Sequence, residues 1–281
     1  MRHGKRIIDH GRYHFDFRCS QVTDFLNKVI DRLINELGIK YFKFDYNIDG
    51  GIGTEIDADS FGDGLMQHQE AYLKWIDGIY DRHPDLIIEN CASGGMRMDY
   101  KSLSHFSLQS TSDASDYKPT AVISAMSGTA ILPRQTQVWV LPMQHHTNSE
   151  IAFNMVSSMF KRPAISGEAH LLNKEQIKVL KEGVDFYKSI RAEIPYLIPF
   201  YPCGVMNFED SAITYEYKAQ NSAYIIVGNL DEVDRDFCVP LAEFKNVKPI
   251  YPIDCGIKSE IINGTLKTSI PKKSAFIFKV Q

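Results

Sequence analysis

The stretch Ile39-Lys40-Tyr41-Phe42-Lys43-Phe44-Asp45-Tyr46-Asn47 decides the fold class. Ile39–Phe44 is a short run of β-forming residues that ends on charge. Side chains along a strand alternate between two faces. Lys43, Asp45 and Asn47 therefore share one face, and Phe42, Phe44 and Tyr46 share the other. The aromatic face suits packing under helices, and the polar face suits the mouth of a barrel. Upstream, apolar residues at Val22, Phe25, Leu26, Val29, Ile30, Leu33 and Leu37 recur at helical spacing over 21–37. Ser20 reads as the N-cap of that helix and Gly38 as its stop.

Downstream the same alternation continues. The pattern predicts a helix over Leu65–Tyr80, a strand at Asp85–Glu89 and a third strand at Phe106–Thr111. Further strands fit Thr129–Leu132 and Gln137–Leu141, and further helices fit Ser149–Phe160 and Lys174–Arg191. Asn173 with Gln176 forms a capping-box pattern at the start of the last helix. Strands alternating with helices imply βαβ units and a parallel sheet. After about Pro195 the pattern changes. Val205–Phe208, Ala212–Lys218, Tyr224–Val227, Ile261–Ile262, Leu266–Ile270 and Ala275–Val280 are short β-type runs divided by turn residues. The expected fold is α/β: a partial TIM-type (β/α) barrel over residues 1–195, then a small antiparallel β-sandwich domain over 196–281. No G-x-G-x-x-G follows a strand, which argues against a Rossmann sheet.

Three motifs carry candidate chemistry: Lys43-Phe44-Asp45-Tyr46-Asn47, Glu89-Asn90-Cys91-Ala92-Ser93-Gly94-Gly95-Met96-Arg97-Met98-Asp99 and Thr111-Ser112-Asp113-Ala114-Ser115-Asp116. Asp45, Cys91 and Asp113 each follow an apolar run, and the ends of successive parallel strands converge on one site. Two convergent aspartates suit sugar hydrolysis, in which one carboxylate attacks and another carboxyl group delivers a proton. Lys43 near Asp45 would favour the ionised carboxylate a nucleophile requires. Each motif also has an ordinary reading: a structural Lys–Asp pair, a tight Ser-Gly-Gly turn, a buried cysteine, an Arg97–Asp99 ion pair, and aspartates that cap a helix or turn.

Composition narrows the partners. The 281 residues are 44% hydrophobic and 23% charged, with net charge −4. That balance gives no reason to expect nucleic acid or an anionic membrane. The five cysteines show no CxxC or Cys/His ligand spacing. The Gly- and Asp-rich loop Asp49–Gly64 resembles a calcium loop only superficially, because Phe61 and His68 fall at ligand positions. The adjacent His145-His146 is a weak metal pair, so neither a metal nor a cofactor is expected. No run approaches the roughly 18 apolar residues needed to span a bilayer. Met1-Arg2-His3-Gly4-Lys5-Arg6 is not followed by a secretory apolar segment. This favours the cytoplasm, with a signal peptide lost from a longer product as the alternative.

Taken together, the motifs resemble the α-galactosidases of glycoside hydrolase family 36. That family typically shows K-W-D-M-N-R, then N-C-S-x-G-G-x-R-F-D, then W-T-S-D-x-T-D, in the order and spacing found here. Phe15-Asp16-Phe17 matches an upstream L-D-L segment, and Phe186-Tyr187-Lys188 resembles the last barrel helix. The resemblance implies a retaining exo-glycosidase without cofactor, with Asp45 as nucleophile and Asp113 as general acid/base. It implies that Lys43, Asn47, Cys91, Ser93, Gly94, Arg97, Asp116 and Arg12 bind the sugar or support it. The implied partner is an α-galactoside oligosaccharide or glycoconjugate, alongside a second copy of the chain or a missing N-terminal part of the same enzyme. Phe44, Ile48 and Ser110 stand where the family has Trp, Arg and Trp, and Ser93 where many members have Gly. These changes bear on the aglycone and on the group at the sugar's 2-position, leaving α-N-acetylgalactosaminidase and galactosyl transfer open. The motifs begin close to Met1, so fewer than eight barrel strands fit. The competing reading is a catalytically incompetent fragment or degenerate homologue that binds sugar or a partner.

Overall fold

The computed structural model describes residues 1–241, 244–253 and 255–281. The chain folds into two compact units, Met1–Ser110 and Thr111–Gln281. In the first, a short antiparallel hairpin pairs β1 (Ile8–Asp9) with β2 (Arg12–Tyr13). There follow α1 (Ser20–Asn35), β3 (Tyr41–Asp45), α2 (Phe61–Arg82), β4 (Ile87–Cys91), α3 (Tyr100–His105) and β5 (Leu108–Ser110). β3, β4 and β5 pair in parallel, with Lys43 opposite Glu89, Asp45 opposite Cys91, and Asn90 opposite Gln109.

The aromatic face of β3 packs as its alternation requires. Phe42, Phe44 and Tyr46 lie against Tyr72, Leu73, Trp75, Ile76 and Ile79 of α2. Phe44 stacks on Trp75 at 5.7 Å between centroids, and Trp75 Nε1 donates to Asn27 Oδ1 of α1 at 2.9 Å. Ile76 and Ile79 are wholly buried, and each contributes about 1.5–3 kcal/mol through burial. The helix ends follow local chemistry. Ser60 caps α2 by accepting from the Asp63 amide at 3.1 Å. Gly38 closes α1 with φ +69°, and its amide donates to Ile34 O at 3.0 Å. The N-cap of α1 is Cys19, without a side-chain bond, and Ser20 is already helical.

The second unit holds α4 (Tyr117–Ser127), β6 (Thr136–Val140), α5 (Asn148–Ser158), β7 (Arg162–Ile165) and α6 (Lys174–Ile190). It continues with β8 (Ile198–Phe200), β9 (Ala212–Lys218), β10 (Ala223–Asn229), β11 (Arg235–Pro240), β12 (Val247–Tyr251), β13 (Ser259–Ile262), β14 (Thr265–Ile270) and β15 (Ser274–Val280). β6 and β7 are parallel. The last eight strands form a five-stranded antiparallel sheet, β12-β15-β10-β9-β8, and a three-stranded one, β11-β14-β13. β10 is buried along its whole length because both its faces are covered. Tyr224 and Ile226 join a core with Phe153, Met155 and Met159 near α5, while Ala223, Ile225 and Val227 join Phe237, Val239 and Leu266 of the smaller sheet. The capping box at Asn173 is formed in both directions, at 3.0 and 2.9 Å.

Several sequence expectations shift. Thr129–Leu132 is not a strand but the turn leaving α4, where the Thr129 amide donates to Met126 O. Val205–Phe208 is irregular, and the strand of that region is β8. β7 and β12 carry Pro163 and Pro249, residues that disguise a strand because proline donates no ladder bond. α3 and α4 begin at Asp99 and Asp116, whose carboxylates accept from the amides of Ser102 and Lys118.

Candidate functional site

The C-terminal ends of β3 and β4 bring three predicted residues together. Asp45 is exposed at the strand end, opposite the buried Cys91. Burial pushes the Cys91 thiol up. The hydrogen bond to Asp45 adds to this, while the charge of Lys43 pulls it down. Lys43 lies one step below on the same face, with its Nζ 3.6 Å from Glu89 Oε1. A carboxylate, a thiol and an ammonium thus meet on one polar face that ends in solvent. Such a cluster can present a nucleophile and hydrogen-bond donors to a polyhydroxylated ligand.

The loops leaving these strands lock onto one another. The Tyr46 amide donates to Cys91 O at 2.7 Å, extending the ladder one residue past Asp45. Asn47 Oδ1 accepts from the Ser93 amide at 2.6 Å. Ser93 and Gly94 have φ of +44° and +77°, so the turn after Cys91 places two successive residues in the left-handed region. That is easy for glycine and strained for serine. Arg97 donates to Tyr46 O at 3.0 Å and Ile48 O at 2.8 Å, and its guanidinium lies 4.0 Å from the Tyr46 ring centroid. It clamps the backbone that follows Asp45. Asp99 does not pair with it but caps α3.

Sequence reasoning missed two polar features of this unit. One is Glu89, buried on β4, whose Oε2 accepts the Tyr41 hydroxyl. Burial raises its carboxyl to about 7. The available signal was its position two residues before Cys91, on the same strand face. The other is a chain of His14, Tyr46 and His68. Tyr46 Oη meets His14 Nε2 on one side and His68 Nε2 on the other, the latter at 2.6 Å. His68 Nδ1 accepts from the Phe17 amide at 3.3 Å, so its proton sits on Nε2 and points to the phenol. Burial lowers His68 to about 4 and raises Tyr46 to about 12. The chain is therefore neutral. No spacing rule links residues 14, 46 and 68. A cavity of ≈ 790 Å³ opens beside His14 and His68, walled by Asp16, Arg18 and Gln67, and none of Lys43, Asp45, Asn47 or Cys91 lines it. Burial would raise Asp16, but hydrogen bonds from Arg18 hold it low.

The remaining candidates lie elsewhere. Arg12 is exposed in the β1–β2 hairpin, paired in register with Asp9. In the second unit, Asp113 is exposed on the loop before α4, where the Ser112 hydroxyl accepts from the Ala114 amide at 2.9 Å. Asp116 caps α4, accepting from the Lys118 amide at 2.9 Å. His145 and His146 touch edge to face, and His146 Nδ1 accepts from the Met143 amide. Among the described residues, no group of three or more His, Cys, Asp or Glu side chains is placed to hold a metal ion. No described helix is long and apolar enough to cross a membrane.

The Melibiase family model matches residues 3–196. The chain belongs to the Melibiase family. No curated protein matches the sequence. Among solved structures, the galactosidase domain of the α-galactosidase–sucrose kinase AgaSK is similar, with TM-score 0.77, 17% identity, and coverage of 100% of this chain and 40% of the other. The GH36 α-galactosidase AgaB from Geobacillus stearothermophilus gives TM-score 0.78 at 15% identity over 99% and 40%. The α-galactosidase from Lactobacillus brevis gives 0.75 at 13% over 99% and 40%. The chain thus spans about 40% of the length of these structures. As a Melibiase member it has their fold, part of a (β/α) barrel followed by an antiparallel β-domain.

Proposed function

We propose that this chain carries the nucleophile and the acid/base of a retaining α-galactosidase, with residues 1–195 forming its catalytic part and 196–281 its accessory β-domain. The observation that supports this best is the joint end of β3 and β4, where Asp45, Cys91 and Lys43 share one polar face within a Melibiase match. In the first step the Asp45 carboxylate attacks the anomeric carbon of a terminal α-galactosyl residue. The Asp113 carboxyl gives its proton to the glycosidic oxygen as that bond breaks. In the second, Asp113 takes a proton from water, and the water oxygen displaces Asp45. Two inversions return the starting configuration. Lys43 and Asn47 would hold hydroxyls of the sugar, Cys91, Ser93 and Gly94 would border its 2-position, and Arg97, Asp116 and Arg12 would support that shell. The deciding experiment is proton NMR of an aryl α-galactoside during turnover. The α-anomer of galactose should form first. The β-anomer forming first would overturn the double displacement.

A second reading has its own support in the exposed apolar side chains of the first unit. Tyr13, Phe15, Phe25 and Tyr41 are all open to solvent, and β3 is the last strand of its sheet. In that reading the chain binds sugar or associates with another chain through this surface, a second copy or the remaining part of a longer enzyme. Light scattering of the purified chain tests it: a monodisperse monomer with turnover favours the first reading, and a silent oligomer the second.

A further inference from the structure

Glu89 is a buried ionisable side chain near the ends of β3 and β4 to which the proposed glycosidase mechanism gives no role. It sits on β4 directly opposite Lys43, and its side chain is 3% exposed against 28% for Lys43. The Tyr41 hydroxyl donates to Oε2 from the same strand as Lys43. Oε1 has no hydrogen-bond partner and faces Lys43 Nζ at 3.6 Å. That distance is too long for a hydrogen bond and right for an ion pair. A buried carboxyl with one oxygen held and the other turned to an ammonium is built to fix where that ammonium sits.

We propose that Glu89 is a positioning residue for Lys43, holding the lysine ammonium on the polar face beside Asp45 and Cys91. A lysine side chain has rotamer entropy to lose when it is fixed. An anchor that fixes it before the ligand arrives moves that cost out of the binding step. Two opposing influences act on Glu89. Burial raises its carboxyl to about 7, and the ammonium at 3.6 Å favours the charged form. Burial dominates because Lys43 is partly solvated.

The inference deepens the proposed glycosidase reading and rests on it for the ligand, but the pairing itself can be tested without turnover. Competitive acetylation of the full chain, read by peptide mass spectrometry, reports the free-amine fraction of Lys43 against the exposed Lys28 and Lys40. In Glu89→Gln the loss of the neighbouring anion at 3.6 Å should raise Lys43 reactivity severalfold, with the reference lysines unchanged. Tyr41→Phe, at an exposed position, removes one bond to the carboxylate, makes Glu89 harder to ionise and should shift Lys43 the same way by less. It decides the matter if Glu89→Gln fails to fold. Unchanged Lys43 reactivity in the variants that fold would overturn the proposal. With an aryl α-galactoside, Glu89→Gln should raise KM more than it lowers kcat, and in a Lys43→Met background it should add little. If Lys43 responds to Glu89 and no galactoside is turned over, the pairing stands and the glycosidase reading falls. If turnover is normal and Lys43 is indifferent, the pairing falls alone.

Discussion

Two buried ionisable side chains, Glu89 in the first unit and Lys161 in the second, are brought by burial to about 7 from opposite directions. Their surroundings differ in kind. Glu89 faces a lysine across a strand pair whose next residues are Asp45 and Cys91. Lys161 is enclosed in the core between α4 and β9. Its Nζ donates to the carbonyl and, at 2.7 Å, the hydroxyl of Ser124, and lies 5.2 Å from the Tyr215 ring centroid. An ionisable group beside a strand end, facing an opposite charge that is partly exposed, is placed where it can act on a ligand. One sealed among a serine and two tyrosines satisfies a helix carbonyl and fills volume. A perturbed titration does not separate these cases, whereas access and partners do.

Asp45 carries the largest expected difference between the two units. If the first unit's strand end is the chemical one, Asp45→Ala should lower turnover of an aryl α-galactoside by roughly 10³-fold or more. Azide should partly restore it by entering the vacated face. Asp113→Ala should hurt substrates with poor leaving groups most, because good ones need little protonation. Equal losses on both substrate types would remove Asp113 from the acid's role. Lys161→Met, by contrast, should leave KM unchanged.

The two cores sharpen the comparison next. Ile76 and Ile225 are both wholly buried, one under β3 and one inside the sandwich. Replacing either with Ala should cost about 2–5 kcal/mol. If the units unfold separately, urea curves followed by Trp75 fluorescence in a Trp139→Phe background, which leaves the probe in the first unit alone, should move for Ile76→Ala and stay put for Ile225→Ala. Equal movement would show a single cooperative transition.

A smaller effect distinguishes the two buried charges by sign. Glu89 titrates higher folded than unfolded, so its stabilising contribution is full below the ordinary glutamate value of 4.5 and is lost as pH rises through about 7. Lys161 titrates lower folded, so its contribution is full above 10.5 and is lost as pH falls through about 7. Glu89→Gln should therefore flatten stability on the acid side of 7, and Lys161→Met on the alkaline side. At pH 6 or below Lys161→Met should stabilise by about 1–4 kcal/mol, since the Ser127 hydroxyl still donates to the Ser124 carbonyl at 2.7 Å. Denaturant midpoints on either side of pH 7 measure both. Smallest of all, Asn173→Ala should cost about 1 kcal/mol by removing the cap of α6, read as a lowered Tm.

The sequence by itself determined the βαβ order, the two-faced character of Lys43–Asn47, the Asn173 capping box and the switch to antiparallel strands. These depend on periodicity, caps and turn residues, which act over a few positions. Element ends moved by a few residues, and strands holding Pro163 or Pro249 escaped because local rules count proline against them while neighbouring strands supply the pairing. Arg97 was legible as a residue of the site, but its bonds to Tyr46 O and Ile48 O were not, because they join two loops. Only the tertiary structure decided that Glu89 faces Lys43 and that His14, Tyr46 and His68 share a proton chain. It also decided that Lys161 is sealed in a core. Each depends on residues 22 or more positions apart in the chain, where register and packing, not local propensity, set which atoms meet.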